Sequence, residues 1–322
     1  MRLINIKIFN LIIIFLIILS VSGCRKNKTI IINNSDNNNV AKYDIIFSNT
    51  ELDYISRIKE RGYLRIATRN RATVFEPDKY GKDDHGGVEY RIAKSFADYI
   101  GVNLDITVVN NISEYFAKSG IQLGQELEDG LNNGIISPYN PDIIDRVDII
   151  VDGLSAQRWR TKILLFIKTT PDKDMILARN DININAIEDL SGYRIAIVPA
   201  ASYTTTLRRI ESLIMADFNY IEVPDTADLV EAVSTGNADI TCIGGIPAVM
   251  ELKKYDNIKI TIPVSSTDAN WAHWAVRRDN EVLASILIKY ITYAKQKGIY
   301  DSEWEKCFGV KYSDFVKLIR EM

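Results

Sequence analysis

Short apolar runs typical of strands alternate with segments in which apolar residues recur at helical spacing, and this alternation occurs twice along the chain. In the first half, Ile92, Phe96 and Ile100 share one face of a predicted helix that ends at Gly101. The predicted elements of this half are a strand at 64–67, a helix at 90–100, a strand at 104–109, a helix at 125–133 and a strand at 147–151. Such an order predicts a mainly parallel sheet.

The second half repeats the pattern. Its predicted elements are strands at 194–198, 220–223, 240–243 and 272–276, and helices at 202–214, 226–235, 246–254 and 280–297. Two or more helical segments complete the chain. We therefore expect an α/β protein with two lobes, each a mainly parallel sheet flanked by helices.

The N-terminus has the pattern of an export signal. Basic residues precede an apolar run from Leu11 to Leu19, which is too short to span a bilayer and is followed by small residues and Cys24. A cysteine at this place is typical of bacterial lipoprotein processing, so Cys24 is the predicted lipidation site. An ordinary secretory peptide and an uncleaved anchor are the alternatives. In each case we expect most of the chain in the cell envelope, facing the periplasm or the exterior.

Composition narrows the possible partners. The chain is 47% hydrophobic and 25% charged, with a net charge of -3, and its only basic cluster is the short segment 25–28. Nucleic acid is therefore not an expected partner. Cys242 and Cys307 fit free buried thiols better than a disulfide. His85 and His273 are the only histidines, and no spacing predicts a metal site or a cofactor.

Several separated segments match one known family in order. They are 62–68 (GYLRIAT), 87–93 (GVEYRIA), 147–155 (VDIIVDGLS) followed by Arg160, and 189–192 (DLSG). Over about 52–308 the chain resembles the family 3 bacterial extracellular solute-binding proteins. Through 202–203, 207–209 and 274–277 it is also similar to the sensor-like region of F-type membrane-bound lytic transglycosylases. We expect no lysozyme-like catalytic domain, because the chain ends at Met322.

The resemblance implies a type II periplasmic-binding fold, in which two lobes close on a small molecule. The two crossings between lobes would fall near 168–171 and 267–271. The implied organisation is a lipoprotein signal peptide at 1–23, a flexible tether at 24–45, a first lobe of 46–169 plus 270–322, and a second lobe of 170–269.

The resemblance also implies the ligand-binding residues. Arg160 stands where amino-acid-binding members hold the ligand carboxylate, which a guanidinium fits bidentately, and Ser155 lies in the same loop. The alternative is a surface arginine like Arg158. From the other lobe, Ser202 and Tyr203 open a predicted helix whose N–H groups could meet the same anion. The alternative for Ser202 is a helix N-cap without a ligand.

Four further positions bear on the ligand. Phe75 is the candidate for aromatic sandwiching, with a core phenylalanine as the alternative. Gly244 aligns with the acid that binds the ammonium group in relatives, so that anchor is missing. Arg69 and Arg71 add positive charge at the cleft mouth unless they are solvated loop residues. These departures predict a ligand more anionic than a neutral amino acid, or one whose cation meets another acid such as Asp152.

The expected function is that of a lipid-anchored, monomeric solute-binding protein. It would capture a small carboxylate-bearing solute, amino-acid-like or another organic acid, for the permease of an ABC-type importer, and it would not be an enzyme. The first alternative is a ligand-sensing or cell-wall-associated binding module related to the transglycosylases. The second is an enzyme on the same fold, similar to cyclohexadienyl dehydratases.

Overall fold

The computed structural model describes residues 45–199, 201–224, 226–252, 254–264 and 270–321. The predicted signal peptide, Cys24 and nearly all of the predicted tether lie outside the described residues, as does most of the predicted crossing at 267–271. None of the helices in the described ranges combines the length and the apolar character needed to cross a membrane.

Helices and strands alternate through most of the described chain. The strands are β1 (Tyr63–Arg69), β2 (Glu76–Gly81), β3 (Asp84–Gly86), β4 (Asn103–Val109), β5 (Ile149–Leu154), β6 (Leu164–Asp172), β7 (Asp174–Arg179), β8 (Arg194–Ile197), β9 (Asn219–Glu222), β10 (Ile240–Gly244), β11 (Ile258–Pro263) and β12 (Asn270–Arg277). The helices are α1 (Asn49–Arg61), α2 (Val88–Ile100), α3 (Gln125–Asn132), α4 (Ser202–Ile214), α5 (Thr226–Ser234), α6 (Gly245–Glu251), α7 (Glu281–Gln296), α8 (Ile299–Phe308) and α9 (Tyr312–Glu321).

Two five-stranded sheets organise the molecule, one in each lobe. The first has the order β4-β1-β5-β12-β6 and the second the order β11-β7-β10-β8-β9. In the first sheet, β1 pairs in parallel with β4 and β5, whereas β12 is antiparallel to β5 and β6. In the second sheet, β8 pairs in parallel with β9 and β10, whereas β7 is antiparallel to β10 and β11. The two-lobed α/β fold is thus confirmed, with mixed sheets.

The antiparallel strands arise where the chain passes between the lobes. β6 ends at Asp172 and β7 begins at Asp174, so only Lys173 separates a strand of the first sheet from a strand of the second. β12 returns to the first sheet and pairs with β6 from Asn270 opposite Asp172 to Arg277 opposite Leu164. The ends of β6 and β7 therefore lie where the two lobes meet.

Helix α2 is held in place by close contact with a loop. Gly87 precedes the helix with φ +92°, a conformation that L side chains rarely adopt. A Cβ atom at Gly87 would lie 2.3 Å from the carbonyl oxygen of Val74, and the same oxygen accepts a hydrogen bond from the Tyr90 N–H at 3.0 Å. Only glycine allows the backbone of residue 87 to lie this close to the Val74 backbone. This contact places Val74 and Glu89 beside the space between the lobes.

We predict that Gly87→Ala lowers the free energy of unfolding by about 3 kcal/mol or more, because backbone strain and a backbone clash add at this position. Gly62→Ala is the matched control. Gly62 also has a positive φ, of +84°, but a Cβ atom there would have no neighbouring atom within 4 Å, so only the strain of about 1 kcal/mol applies. Urea denaturation of both variants measures the difference. Equal losses would contradict the close-approach explanation.

Candidate functional site

A cleft of about 650 Å³ lies between the two sheets. It opens at the carboxyl ends of the parallel strands, where loops from adjacent strands converge in α/β proteins. Six of the seven residues predicted to bind ligand line it: Asp152, Ser155, Arg160, Ser202, Tyr203 and Gly244. The structure thus brings together residues that are up to 92 positions apart in the sequence.

Arg160 is a buried cation that forms no ion pair with the described acidic residues. Its side chain follows β5, and the residue is 6% exposed. Nη1 donates to the carbonyl oxygen of Ser155 at 3.2 Å and to its hydroxyl at 3.0 Å. Nε has no hydrogen-bond partner, and no carboxylate in the described ranges forms an ion pair with this guanidinium.

Aromatic rings support the Arg160 guanidinium. Its Cζ lies 4.5 Å from the centroid of the Phe116 ring and 5.3 Å from that of Trp159. Burial lowers the pKa of Arg160 to about 10, which leaves the side chain protonated at neutral pH. Arg158, by contrast, is exposed. The geometry therefore favours a site for an anion over a solvated surface arginine.

Asp152 already has partners inside the protein. It is fully buried and forms an ion pair with Arg69, whose Nη2 lies 3.0 Å from Oδ1. The Tyr115 hydroxyl donates to Oδ2 at 3.1 Å. Burial is the largest single influence on the pKa of Arg69 and lowers it, but the charge and hydrogen bond of Asp152, with a smaller contribution from Tyr115, together raise the pKa above its usual value. Arg69 is thus neither a solvated loop residue nor an unbalanced charge, while Arg71 also lines the cleft.

The second lobe presents the start of α4 to the cleft. Ala201 is the N-cap residue and provides no side-chain cap, and Ser202 is the first residue of the helix. The interpretation of Ser202 as an N-cap is therefore wrong. Ser202, Tyr203 and Thr205 line the cleft, and the first turn of a helix carries N–H groups without intrahelical acceptors. This end of the cleft suits an anion.

Phe75 does not line the cleft. It is buried in a cluster with Val74 and Tyr90, and its ring centroid lies 5.3 Å from that of Tyr90 and 5.1 Å from that of His85. The alternative of a core phenylalanine is the one that the structure supports. Phe116, whose ring packs against the Arg160 guanidinium, is likewise buried and does not line the cleft.

An unpredicted carboxylate lies beside Gly244. A Cβ atom at Gly244 would lie 2.8 Å from Oδ2 of Asp172. Oδ1 of Asp172 accepts hydrogen bonds from the backbone N–H groups of Lys173 at 2.9 Å and Ile246 at 3.2 Å. Burial, with the charge of Asp174 adding to it, raises the pKa of Asp172 to about 7. Both Asp172 and Asp174 line the cleft.

Glu89 is a second acid with a raised pKa. It is buried at the base of the cleft, and its Oε2 accepts a hydrogen bond from the indole Nε1 of Trp274 at 2.6 Å. Burial raises the pKa of Glu89 to about 7 despite this bond. Burial likewise lowers the pKa of Lys295 to about 8. These shifts result from the low polarity of the interior around α2 and α7.

Neither of the two described cysteines lines the cleft, whereas His273 does. Cys242 is a buried free thiol, and Cys307 is a partly exposed one. His273 is buried and lies 3.0 Å, through Nδ1, from the carbonyl oxygen of Leu154. Within the described ranges, no three His, Cys, Asp or Glu side chains are grouped so that they could hold a metal ion.

Solved structures share the two-lobed fold. An ancestral cationic amino acid solute-binding protein matches with a TM-score of 0.58 and 19% identity, over 79% of this chain and 99% of that one. The L-cystine solute receptor of Neisseria gonorrhoeae, in its unliganded open conformation, matches with a TM-score of 0.56 and 19% identity, over 80% and 98%. The substrate-binding protein of an amino acid ABC transporter matches with a TM-score of 0.55 and 22% identity, over 77% and 100%. The fold is therefore the type II periplasmic-binding fold.

The curated relatives with similar sequences form a second group. The chain is similar to membrane-bound lytic murein transglycosylase F of Pseudomonas putida, with 23% identity over 260 residues, which are 79% of this chain and 48% of that protein. The corresponding protein of Erwinia tasmaniensis is 25% identical over 260 residues, 80% of this chain and 47% of that one. The chain spans about half the length of the curated relatives it matches. No protein-family model matches it. The resemblance expected from the sequence motifs is confirmed.

We predict that Glu89→Gln changes how stability depends on pH. The folded protein holds the Glu89 proton up to about pH 7, whereas the unfolded chain releases it near its ordinary pKa of 4.5. The native state therefore binds more protons between these values, and the contribution of Glu89 to stability falls as pH rises through this window. From pH 5 to pH 8 the variant should gain up to about 3 kcal/mol relative to the wild type.

Asp142→Asn is the control for this measurement. Lys118 and Ser119 lower the pKa of Asp142 to about 2, so this carboxylate is ionised in both states above pH 5. Denaturant titrations at several pH values should show a constant difference between the control and the wild type. If the free energy of unfolding changed with pH in the same way for Glu89→Gln and the wild type, Glu89 would not be protonated in its buried position.

Proposed function

We propose that the protein binds a small solute bearing a carboxylate and that Arg160 holds this group. The observation that carries the proposal is the buried Arg160 guanidinium, which lines the cleft with no ion pair to a described residue. A buried cation without a partner is costly. A ligand carboxylate would offset that cost with two charge-assisted hydrogen bonds.

Both lobes would contribute to the same ligand. Arg160 and the Ser155 hydroxyl lie on the first lobe, whereas the start of α4 with Ser202 and Tyr203 lies on the second. A ligand that contacts both sides binds a closed arrangement more tightly than an open one, so binding shifts the population toward closure. Short connections such as Lys173 between β6 and β7 suit rotation of the lobes.

The biological role that we propose is delivery of the solute to an ABC-type importer by a monomeric protein attached to the membrane through lipid. The solved structures that share the fold are amino-acid-binding proteins, one of them described as part of an amino acid ABC transporter. The likeness concerns the fold, and the buried Arg160 of this chain supports a ligand with an acidic group.

A sensing or cell-wall-associated role is the second candidate. It is favoured by the similarity to membrane-bound lytic murein transglycosylases F over most of this chain. A thermal-shift screen of amino acids, dicarboxylates and muropeptides separates the two candidates, because a ligand stabilises the protein according to its concentration and affinity. Stabilisation by muropeptides alone would favour this second role.

We predict that Arg160→Ala weakens binding of the carboxylate ligand found in this screen by about two to four orders of magnitude, since the ligand keeps its desolvation cost and loses charge-assisted bonds worth roughly 3 to 5 kcal/mol. Isothermal titration calorimetry measures the loss, and circular dichroism confirms that the variant is folded. Arg158→Ala is the matched control, because Arg158 is exposed two residues away, and its affinity should stay close to that of the wild type. Equal effects of the two substitutions would exclude the assigned role of Arg160.

We also predict that Cys24→Ala releases the protein from membranes. The apolar run before Cys24 and the small residues between them support lipid attachment at this cysteine, and buried acyl chains contribute about 0.8 kcal/mol per methylene to membrane binding. Detergent phase partitioning and intact-protein mass measure the change. Cys307→Ala is the control and should remain lipidated. Lipid attachment here would be refuted if the mass of the Cys24→Ala protein differed from that of the wild type only by the sulfur atom of the cysteine and its membrane association were unchanged.

A further inference from the structure

The cleft contains more carboxylates than an anion-binding site requires. Four described acids line it: Glu89, Asp152, Asp172 and Asp174. Three of them accept hydrogen bonds from side chains. Arg69 and Tyr115 bind Asp152, Trp274 binds Glu89, and the Thr206 hydroxyl donates to Asp174 at 2.7 Å.

Asp172 differs from the other three. Its hydrogen bonds come from backbone N–H groups, those of Lys173 and Ile246 to Oδ1. Among the described residues, no cation forms an ion pair with it, and Oδ2 is directed over Gly244. Asp172 is thus a cleft carboxylate fixed by the backbone, with one oxygen that no described side chain engages.

Gly244 leaves the space that this oxygen occupies. A Cβ atom at residue 244 would lie 2.8 Å from Oδ2 and 3.6 Å from Cγ of Asp172, and the first distance is shorter than Cβ contacts in real proteins. The φ of Gly244 is -61°, which every residue type adopts. A side chain at residue 244 would therefore have to displace the carboxylate of Asp172, whose Oδ1 is bound by backbone N–H groups.

We propose that Asp172 is a specificity-determining residue that binds a positively charged group of the ligand, such as an ammonium group. This inference rests on the proposed function, since it assigns the opposite end of a ligand whose carboxylate meets Arg160. It revises the expectation from Gly244 that the site lacks such an acid. The carboxylate stands at the end of β6, and the glycine at the end of β10 makes room for it.

The electrostatics of the free cleft agree with this assignment. Asp172 is close enough to Asp174 for the charge of Asp174 to add to the effect of burial and raise the pKa of Asp172. A carboxylate in such surroundings is unfavourable in the ionised form, and a nearby ligand cation would stabilise that form. The cleft then offers an unpaired cation, Arg160, and an unpaired acid, Asp172, which together complement a zwitterion.

The test compares matched ligand pairs by isothermal titration calorimetry at pH 8. The probes are L-amino acids and the 2-hydroxy acids with the same side chains, for example phenylalanine with phenyllactate and glutamate with 2-hydroxyglutarate. The wild type should prefer the amino acid of the best-binding pair. Asp172→Asn should weaken binding of the amino acid at least 100-fold and change binding of the hydroxy acid less than about 3-fold. Asp181→Asn, which alters an exposed acid, is the control and should change neither.

Two further variants test the steric relation. Gly244→Ala should displace Asp172 and reduce the preference for the amino acid while the protein remains folded. The exchange Asp172→Gly with Gly244→Asp should restore at least part of that preference, because the carboxylate returns to nearly the same place. This exchange also keeps the proposal testable if Asp172→Asn does not fold.

The results separate this inference from the proposed function. If Asp172→Asn weakens binding of the amino acid and of the hydroxy acid equally, or weakens neither, the proposed role of Asp172 is wrong. If Arg160→Ala abolishes binding of both ligands, the proposed function still holds. If the wild type binds no member of any pair, the role of Asp172 is wrong, whereas the proposed function is wrong only if the other carboxylates of the thermal-shift screen do not bind either. A wild type that binds the hydroxy acid as tightly as the amino acid contradicts the assignment of Asp172 alone.

Discussion

The cleft depends on the antiparallel pairing of β6 with β12. These two strands bring the chain to the place where the lobes meet, and both contribute cleft residues near their ends, Asp172 from β6 and Trp271 with His273 from β12. Within the pair, the Thr169 hydroxyl donates to the carbonyl oxygen of Ala272 at 2.9 Å. The ammonium group of Lys295 on α7 also binds the backbone of β6, at the Thr169 carbonyl oxygen. The base of the cleft is therefore fixed by hydrogen bonds that do not involve a ligand.

Some charged side chains that line the cleft above this base lack ion-pair partners among the described residues. Arg160 is buried without a carboxylate among the described residues, and burial disfavours the ionised form of Asp172. Such groups reduce the stability of the protein alone, and they are typical of functional sites. The ion pair of Arg69 and Asp152 shows the contrast, because these two charges balance inside the protein.

Local sequence patterns predicted the helices, because helix formation depends on interactions between residues that are close in the chain. The helix predicted at 202–214 has the bounds Ser202–Ile214, and the one predicted at 90–100 begins two residues earlier, at Val88. Both have a regular apolar face, and the second also has a stop signal, Gly101. Arg160 was also predicted, through its place in a motif.

Contacts between distant segments could not be predicted in this way. The sequence indicates β6 only as a crossing, because its pairing with β12 joins residues about a hundred positions apart. For the same reason the sequence did not indicate that Arg69 pairs with Asp152 or that Asp172 lies over Gly244. The prediction that Phe75 contacts the ligand failed for a different reason. No feature of the sequence shows whether an aromatic residue near a cleft loop lines the cleft or packs in the core.

The close approach of Asp172 to Gly244 also limits how the site can change by mutation. An acid at residue 244 and an acid at residue 172 would place two carboxylates in a space that holds one, and like charges at that distance repel strongly. A chain that exchanges one arrangement for the other through single substitutions must therefore pass through a form with both acids or with neither. Under the proposed role of Asp172, these two forms would differ in how many acids meet the ligand cation, so the order of the two substitutions decides which intermediate site the chain passes through.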